Sequence, residues 1–147
     1  MRVLIQRVKN ASVSVDGRQV SEIGPGLLLL VGIGREDDLE ALERMTKKVV
    51  NLRIFEDDHG KMNLNIQQTA GQILSVPQFT LYADTRKGNR PGFDPSAKPE
   101  MAKAYWQKFN LFLNENGLRV KEGIFGAHME VQLVNDGPVT IWLDSEE

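Results

Sequence analysis

One uninterrupted apolar run, Leu27-Leu28-Leu29-Leu30-Val31-Gly32-Ile33, set off by Gly24-Pro25-Gly26, constrains the fold more than any other segment. A half-exposed strand would alternate polar and apolar residues, so a continuous run of this length reads as a strand buried on both faces. It falls far short of the roughly 20 residues that cross a bilayer, and no other stretch comes nearer.

Weaker patterns surround it. Val3, Ile5 and Val8 give one short strand, and Ala11, Val13 and Val15 alternate with Ser12 and Ser14 in the half-buried manner. Asp16-Gly17 marks a hairpin turn, after which residues 18–23 return. Asp37 or Asp38 can cap a helix in which Leu39, Leu42, Met45, Val49 and Leu52 share one face. Residues 53–56 read as a short strand, and residues 72–82 as a second central strand. Pro77 removes a ladder donor there, so that strand is an edge or is interrupted. Residues 83–95 form a long polar loop. Residues 96–116 read as a second helix with Pro99 in its first turn, Gly117 at its end, and Ala102, Tyr105, Trp106, Phe109 and Leu113 as its apolar stripe. Strands at 118–122, 129–134 and 139–143 follow, the last two joined by Asn135-Asp136-Gly137-Pro138. The expectation is a mixed α and β domain over residues 1–147, its sheets packed in layers or barrel-like, with two helices outside.

Several function classes drop out. The 147 residues contain no cysteine, which excludes disulfides, thiolate metal sites, Fe–S clusters and a Cys nucleophile. Only His59 and His128 could serve a His-rich metal site. A net charge of −2 gives no support to non-specific nucleic-acid binding, though a local basic patch stays possible. The opening MRVLIQRVKN has no apolar run of signal length, so the expectation is a soluble cytoplasmic chain without a membrane segment. Gly24-Pro25-Gly26 and Gly32-Ile33-Gly34 each lack the third glycine of a dinucleotide fingerprint. Asp57-Asp58-His59-Gly60 has the wrong spacing for a calcium loop and reads as a turn. His128 faces a predicted strand and reads as a satisfied structural imidazole.

Four segments carry more. Pro77-Gln78-Phe79-Thr80-Leu81 and Asn135-Asp136-Gly137-Pro138-Val139-Thr140, with residues 87–93 (KGNRPGF) and Gly126-Ala127-His128-Met129, resemble the D-aminoacyl-tRNA deacylase family. The likeness runs over nearly the whole chain. It implies a homodimer with its site at the subunit interface, hydrolysing the ester between a D-amino acid and the terminal adenosine of tRNA without metal or cofactor. It implies that Gln78, Phe79 and Thr80 are catalytic, with Pro77 standing where the family usually has serine. It further implies a cis Gly137-Pro138 peptide that reaches into the partner's pocket, braced by Arg7, with Met129 lining that pocket. Arg86, Lys87 and Arg90 become candidates for contact with tRNA phosphates, in a loop where Gly92 replaces the family's usual serine.

A rigid backbone wall beside the α-carbon would leave no room for an L side chain and would let a D side chain point to solvent, which is specificity by exclusion. Such a wall cannot reject glycine, so mischarged glycyl-tRNA becomes a further expected substrate. Backbone N–H groups near Phe79 and Thr80 would hold the developing oxyanion. Thr80 lacks an evident activating base, which favours a supporting role over a nucleophilic one. The alternative is a catalytically weakened homodimer, impaired through Pro77, that binds RNA ends or nucleotides.

Overall fold

β1 (Arg2–Val15) is the spine of the molecule, which we describe from a computed structural model of residues 1–147. A strand has two edges, and β1 fills both. One pairs antiparallel with β8 (Glu130–Asp144) from Arg2↔Asp144 to Ser14↔Glu130. The other pairs antiparallel with β3 (Gly26–Gly32) over residues 2–8 and with β2 (Arg18–Ile23) over residues 11–15. β3 then pairs in parallel with β6 (Gln72–Pro77), and β6 in parallel with β7 (Arg119–Glu122). The resulting mixed sheet curls into a nearly closed barrel. Two helices, α1 (Leu39–Asn51) and α2 (Pro99–Glu115), cover one of its faces, and β4 (Phe55–Glu56) with β5 (Met62–Leu64) forms a separate small hairpin.

Two apolar clusters explain why β3 carries no polar residue. Leu27, Leu29 and Val31 face Leu42, Val49, Trp106, Phe109 and Leu113 beneath the helices. Leu28 faces the other way, toward Val8, Ala11, Val13, Ile23, Leu74 and Val76, with Leu30 packed against that group. Burying a leucine or valine side chain contributes about 1.5–3 kcal/mol, so both faces of β3 hold the layers together. Asp38 caps α1, accepting the Ala41 N–H at 2.8 Å. α2 starts on Pro99 and is fastened to the sheet by polar contacts: Trp106 Nε1 donates to Ser75 Oγ at 2.9 Å, and Asn110 Nδ2 to Glu122 at 3.0 Å.

The expected elements need four corrections. The strand expected over residues 72–82 stops at Pro77 and is central, lying between β3 and β7. Proline has no N–H to continue the ladder, and the next donor, Gln78 N–H, bonds Val31 O at 2.7 Å while the chain turns into a 3₁₀ segment, Phe79–Tyr82. The two terminal strands are one, β8, which follows β1 through a register shift opposite residues 6–10; Asn135–Pro138 is a bulge within it rather than a connection. Likewise residues 2–8 and 11–15 form a single strand. The strand expected at 53–56 is reduced to Phe55–Glu56, because its partner β5 is only three residues long.

Candidate active site

The 3₁₀ segment after β6 presents Gln78, Phe79 and Thr80. Within it Leu81 N–H bonds Gln78 O at 3.3 Å, and just beyond it Ala83 N–H bonds Thr80 O at 3.1 Å. The N–H groups of Phe79 and Thr80, at the head of the turn, make no loop or cap hydrogen bond. The first donors of a helical turn have no acceptor inside it, so these two are available to another acceptor. The Gln78 amide donates to Thr80 Oγ1, the one side-chain partner that hydroxyl has. A neutral amide cannot take a proton from threonine, so this arrangement supports the hydroxyl without activating it. Residues 78–80 therefore sit on an exposed turn, not in a strand.

Beside the turn lies a cavity of about 700 Å³. Pro77, Gln78 and Phe79 form one wall, Phe93 and the start of α2 at Lys98 and Pro99 another, and residues 125–129 a third. Phe79, 55 % exposed, meets Phe93 edge-on with ring centroids 4.9 Å apart. Met129 lines the cavity and also packs against the barrel cluster, so its pocket and core roles coincide. Its sulfur accepts Ile124 N–H at 3.4 Å, and a Cβ on Gly123 would lie 2.7 Å from that sulfur. Glycine at 123 thus lets the methionine seat. His128 is exposed at the cavity rim, off any strand and without a hydrogen bond, contrary to the expected satisfied structural imidazole. No grouping of three or more His, Cys, Asp and Glu is placed to hold a metal ion.

Gly137 and Pro138 lie elsewhere. Both are exposed, their peptide bond is cis, and neither lines the cavity of their own chain. Their segment is braced from below. Asn135 Nδ2 donates to Arg7 O and to Val139 O, each at 3.0 Å, and Thr140 Oγ1 donates to Asn135 Oδ1 at 3.3 Å. Arg7 is 5 % exposed; it donates to Ile54 O at 2.7 Å, and its Nε faces the Asp136 carboxylate at 3.3 Å as an ion pair without hydrogen-bond alignment. Arg7 thus abuts the Gly137-Pro138 segment. Asn135 is the bracing residue that sequence reasoning did not single out. Its signal was its place in the Asn-Asp-Gly-Pro run, but only the fold brings two carbonyls to its amide.

The basic loop divides. Asp84 and Gly92 bond each other's backbone at 2.8 and 2.9 Å. Arg86 is folded back onto Asp84, donating through Nε at 2.9 Å and Nη2 at 2.8 Å. The hydrogen bonds from Arg86 hold the Asp84 carboxyl well below the usual carboxylate range and raise the guanidinium in turn. Arg86 is thereby engaged inside the loop. Lys87 and Arg90 have no carboxylate within 4.0 Å and flank, with Asp84, Gly92 and Asp94, a polar hollow of about 180 Å³.

Comparison with known proteins adds to this geometry. The family model described as D-Tyr-tRNA(Tyr) deacylase matches residues 4–144. A D-aminoacyl-tRNA deacylase of Exiguobacterium sp. is 58 % identical over 144 residues, covering 98 % of each chain. Another from Symbiobacterium thermophilum is 52 % identical over 147 residues, covering 100 % of this chain and 97 % of its own. Among solved structures, a c-Myc DNA unwinding element binding protein superposes with a TM-score of 0.93 at 42 % identity, over 98 % of both chains. A probable eukaryotic D-amino acid tRNA deacylase shares the fold, with a TM-score of 0.82 at 19 % identity over 97 % of both chains. No helix is long and apolar enough to cross a membrane.

Proposed function

The chain belongs to the D-Tyr-tRNA(Tyr) deacylase family, and on that premise we propose that it hydrolyses the ester of D-aminoacyl-tRNA, releasing the D-amino acid and free tRNA. One observation carries the reading: the backbone N–H groups of Phe79 and Thr80 have no loop or cap partner and head a turn whose residues Gln78 and Phe79 line an apolar cavity. An ester carbonyl set there develops its negative charge against fixed donors, which need no reorganisation as the reaction proceeds. Removing one such donor in other hydrolases costs about 10²–10³ in rate. Water, assisted by the neighbouring ribose hydroxyl, attacks the carbonyl carbon; the acyl–oxygen bond breaks; the water oxygen stays on the released amino acid, and the ribose oxygen leaves with a proton from that water. Thr80 and Gln78 support this centre by hydrogen bonding. The scheme uses no metal and no cofactor.

Handedness is sorted by the Gly137-Pro138 segment of a second copy, which makes the working form a cytoplasmic homodimer with its site at the interface and the whole of residues 1–147 as one deacylase domain. Two features support this: the segment is exposed and braced by Asn135 and Arg7, and its own chain's cavity does not use it. A backbone wall has no side chain to discriminate by, so glycyl-tRNA is accepted along with D-aminoacyl-tRNA. Lys87 and Arg90 contact phosphates of the acceptor end, while Arg86 stiffens their loop.

A second reading, a nucleic-acid-binding module without turnover, draws on the name of the 42 % identical structure, a DNA unwinding element binding protein. One experiment separates the two. The protein is incubated with D-Tyr-tRNA and, separately, L-Tyr-tRNA in the presence of chelator, and loss of the ester is followed. Turnover of the D form alone is expected; binding without turnover supports the module instead.

A further inference from the structure

The 3₁₀ segment that presents Phe79 and Thr80 is only four residues long. Such turns have poor hydrogen-bond geometry and depend on their surroundings. Its entrance is held by Gln78 N–H on Val31 O. Its exit is held by a residue far away in sequence. Arg2 Nη1 donates to Leu81 O at 2.9 Å, capping a carbonyl at the end of the turn. The same guanidinium lies 4.5 Å from the centre of the Tyr82 ring and 5.7 Å from that of Trp142, both within cation–π range. Its Nε donates to Asp144 Oδ2 at 3.0 Å, and the Asp144 side chain is only 7 % exposed.

We propose that Arg2 is a positioning residue for the deacylation site, locking the Phe79–Tyr82 turn to the β1–β8 ladder so that the Phe79 and Thr80 N–H groups keep a fixed direction. Four groups from two elements converge on one side chain: Leu81 O and the Tyr82 ring from the turn, Asp144 and the Trp142 ring from β8. Arg2 and Asp144 are also directly paired in the ladder, so the anchor is stiff. The task needs arginine. A planar fork offers two edges to hydrogen-bond acceptors while its faces stack on aromatic rings, and a lysine ammonium cannot meet both demands. Other basic residues on β1 lack this geometry; Arg7, midway along the ladder at its register shift, serves the Gly137-Pro138 segment instead. One strand therefore braces both parts of the site with one arginine each.

The inference rests on the ester-hydrolysis reading for its catalytic consequence, but the mechanical link can be tested without substrate. In Arg2→Lys, native-state hydrogen exchange should show the Leu81 and Ala83 amides losing at least about tenfold in protection while β1–β8 ladder amides keep theirs. In Arg2→Ala, kcat on D-Tyr-tRNA should fall at least about tenfold with KM within about twofold, since the lost contact acts on the oxyanion donors rather than on binding. Guanidinium ion at millimolar concentration should restore part of that kcat, and ammonium should not. Uniform loss of protection across the ladder, or a folded variant with unchanged kcat, would overturn the proposal. Should Arg2→Ala fail to fold, the exchange measurement is made on Asp144→Asn, in which selective loosening of the turn is again the expected result and unaltered protection the contrary one. Wild-type protein that fails to deacylate while the exchange pattern holds would sink the functional reading and leave the brace standing.

Discussion

The cavity and the Gly137-Pro138 segment are built on opposite principles. The cavity is shaped by packing: Phe79 on Phe93, Met129 seated over Gly123, Pro77 closing β6. The segment is shaped by polar bracing, through the Asn135 amide and the buried Arg7 guanidinium. Packed apolar walls tolerate small changes of shape, because neighbours relax and losses scale with area. A turn hung on two hydrogen bonds and an ion pair does not relax in that way, since each lost partner leaves a buried donor or acceptor unmet. A receptor can be soft where it holds a ligand, but a barrier that sorts by shape must be stiff.

This contrast predicts graded effects. The largest belongs to Gly137→Ala. Gly137 has φ +120, and an added Cβ would lie 2.9 Å from Val139 Cγ2 and 3.1 Å from Arg7 Nη2. Displacement of the segment by even an ångström should lower kcat/KM for D-Tyr-tRNA about a hundredfold, with a detectable fall in Tm. Unchanged activity would break the contrast. Asn135→Ala comes next: two carbonyls lose their donor, which should cost about 1–3 kcal/mol in urea unfolding and on the order of tenfold in kcat/KM. Phe79→Ala should separate function from stability. Losing an edge-to-face pair at a half-exposed site should reduce kcat/KM about three- to tenfold, with Tm nearly constant. A large drop in Tm would mean the cavity is as rigid as the segment.

Two smaller effects sharpen the picture. Pro77→Ser restores a hydroxyl and an N–H at the end of β6, yet Phe79 and Thr80 already supply donors; kcat/KM should change less than about tenfold, and a greater gain would show that serine's groups are needed. The last concerns pH. Burial, with the negative charges of Asp37 and Asp144 adding to it, raises the Tyr82 phenol well above its ordinary value of 10.0. The folded chain therefore keeps that proton where the unfolded chain has lost it. Stability from this group is complete below pH 10 and declines above it. Wild-type Tm should fall more steeply above pH 10 than that of Tyr82→Phe, and equal slopes would refute the assignment.

Much of this was legible in the chain, for a common reason. The apolar run at 27–33, the cap at Asp38 and the proline start of α2 depend on residues within a few positions of one another, and each formed as its local chemistry directed. The end of β6 was half legible: Pro77 announced an interruption, but whether the chain would continue extended or turn depended on Val31 O waiting for the Gln78 N–H. The surroundings of His128 and Arg86 could not be read from residue type alone. The first stands at the rim of a cavity that the turn after β6, the 83–95 loop, the start of α2 and residues 125–129 build together, and the second is taken up by Asp84 two residues away.

By itself the sequence determined the two helices and where most strands begin, because periodicity, caps and turn residues act over short distances, and it marked the site motifs only through their likeness to a family. The tertiary structure decided which groups meet. Asn135 reaches a carbonyl 128 positions away, Arg2 one 79 positions away, and Thr80 is left with an amide rather than a base. Contacts of that span follow from the register of β1 against β8 and from how the barrel curls. A shift of one residue there would turn every side chain to the opposite face, and no local pattern encodes that choice.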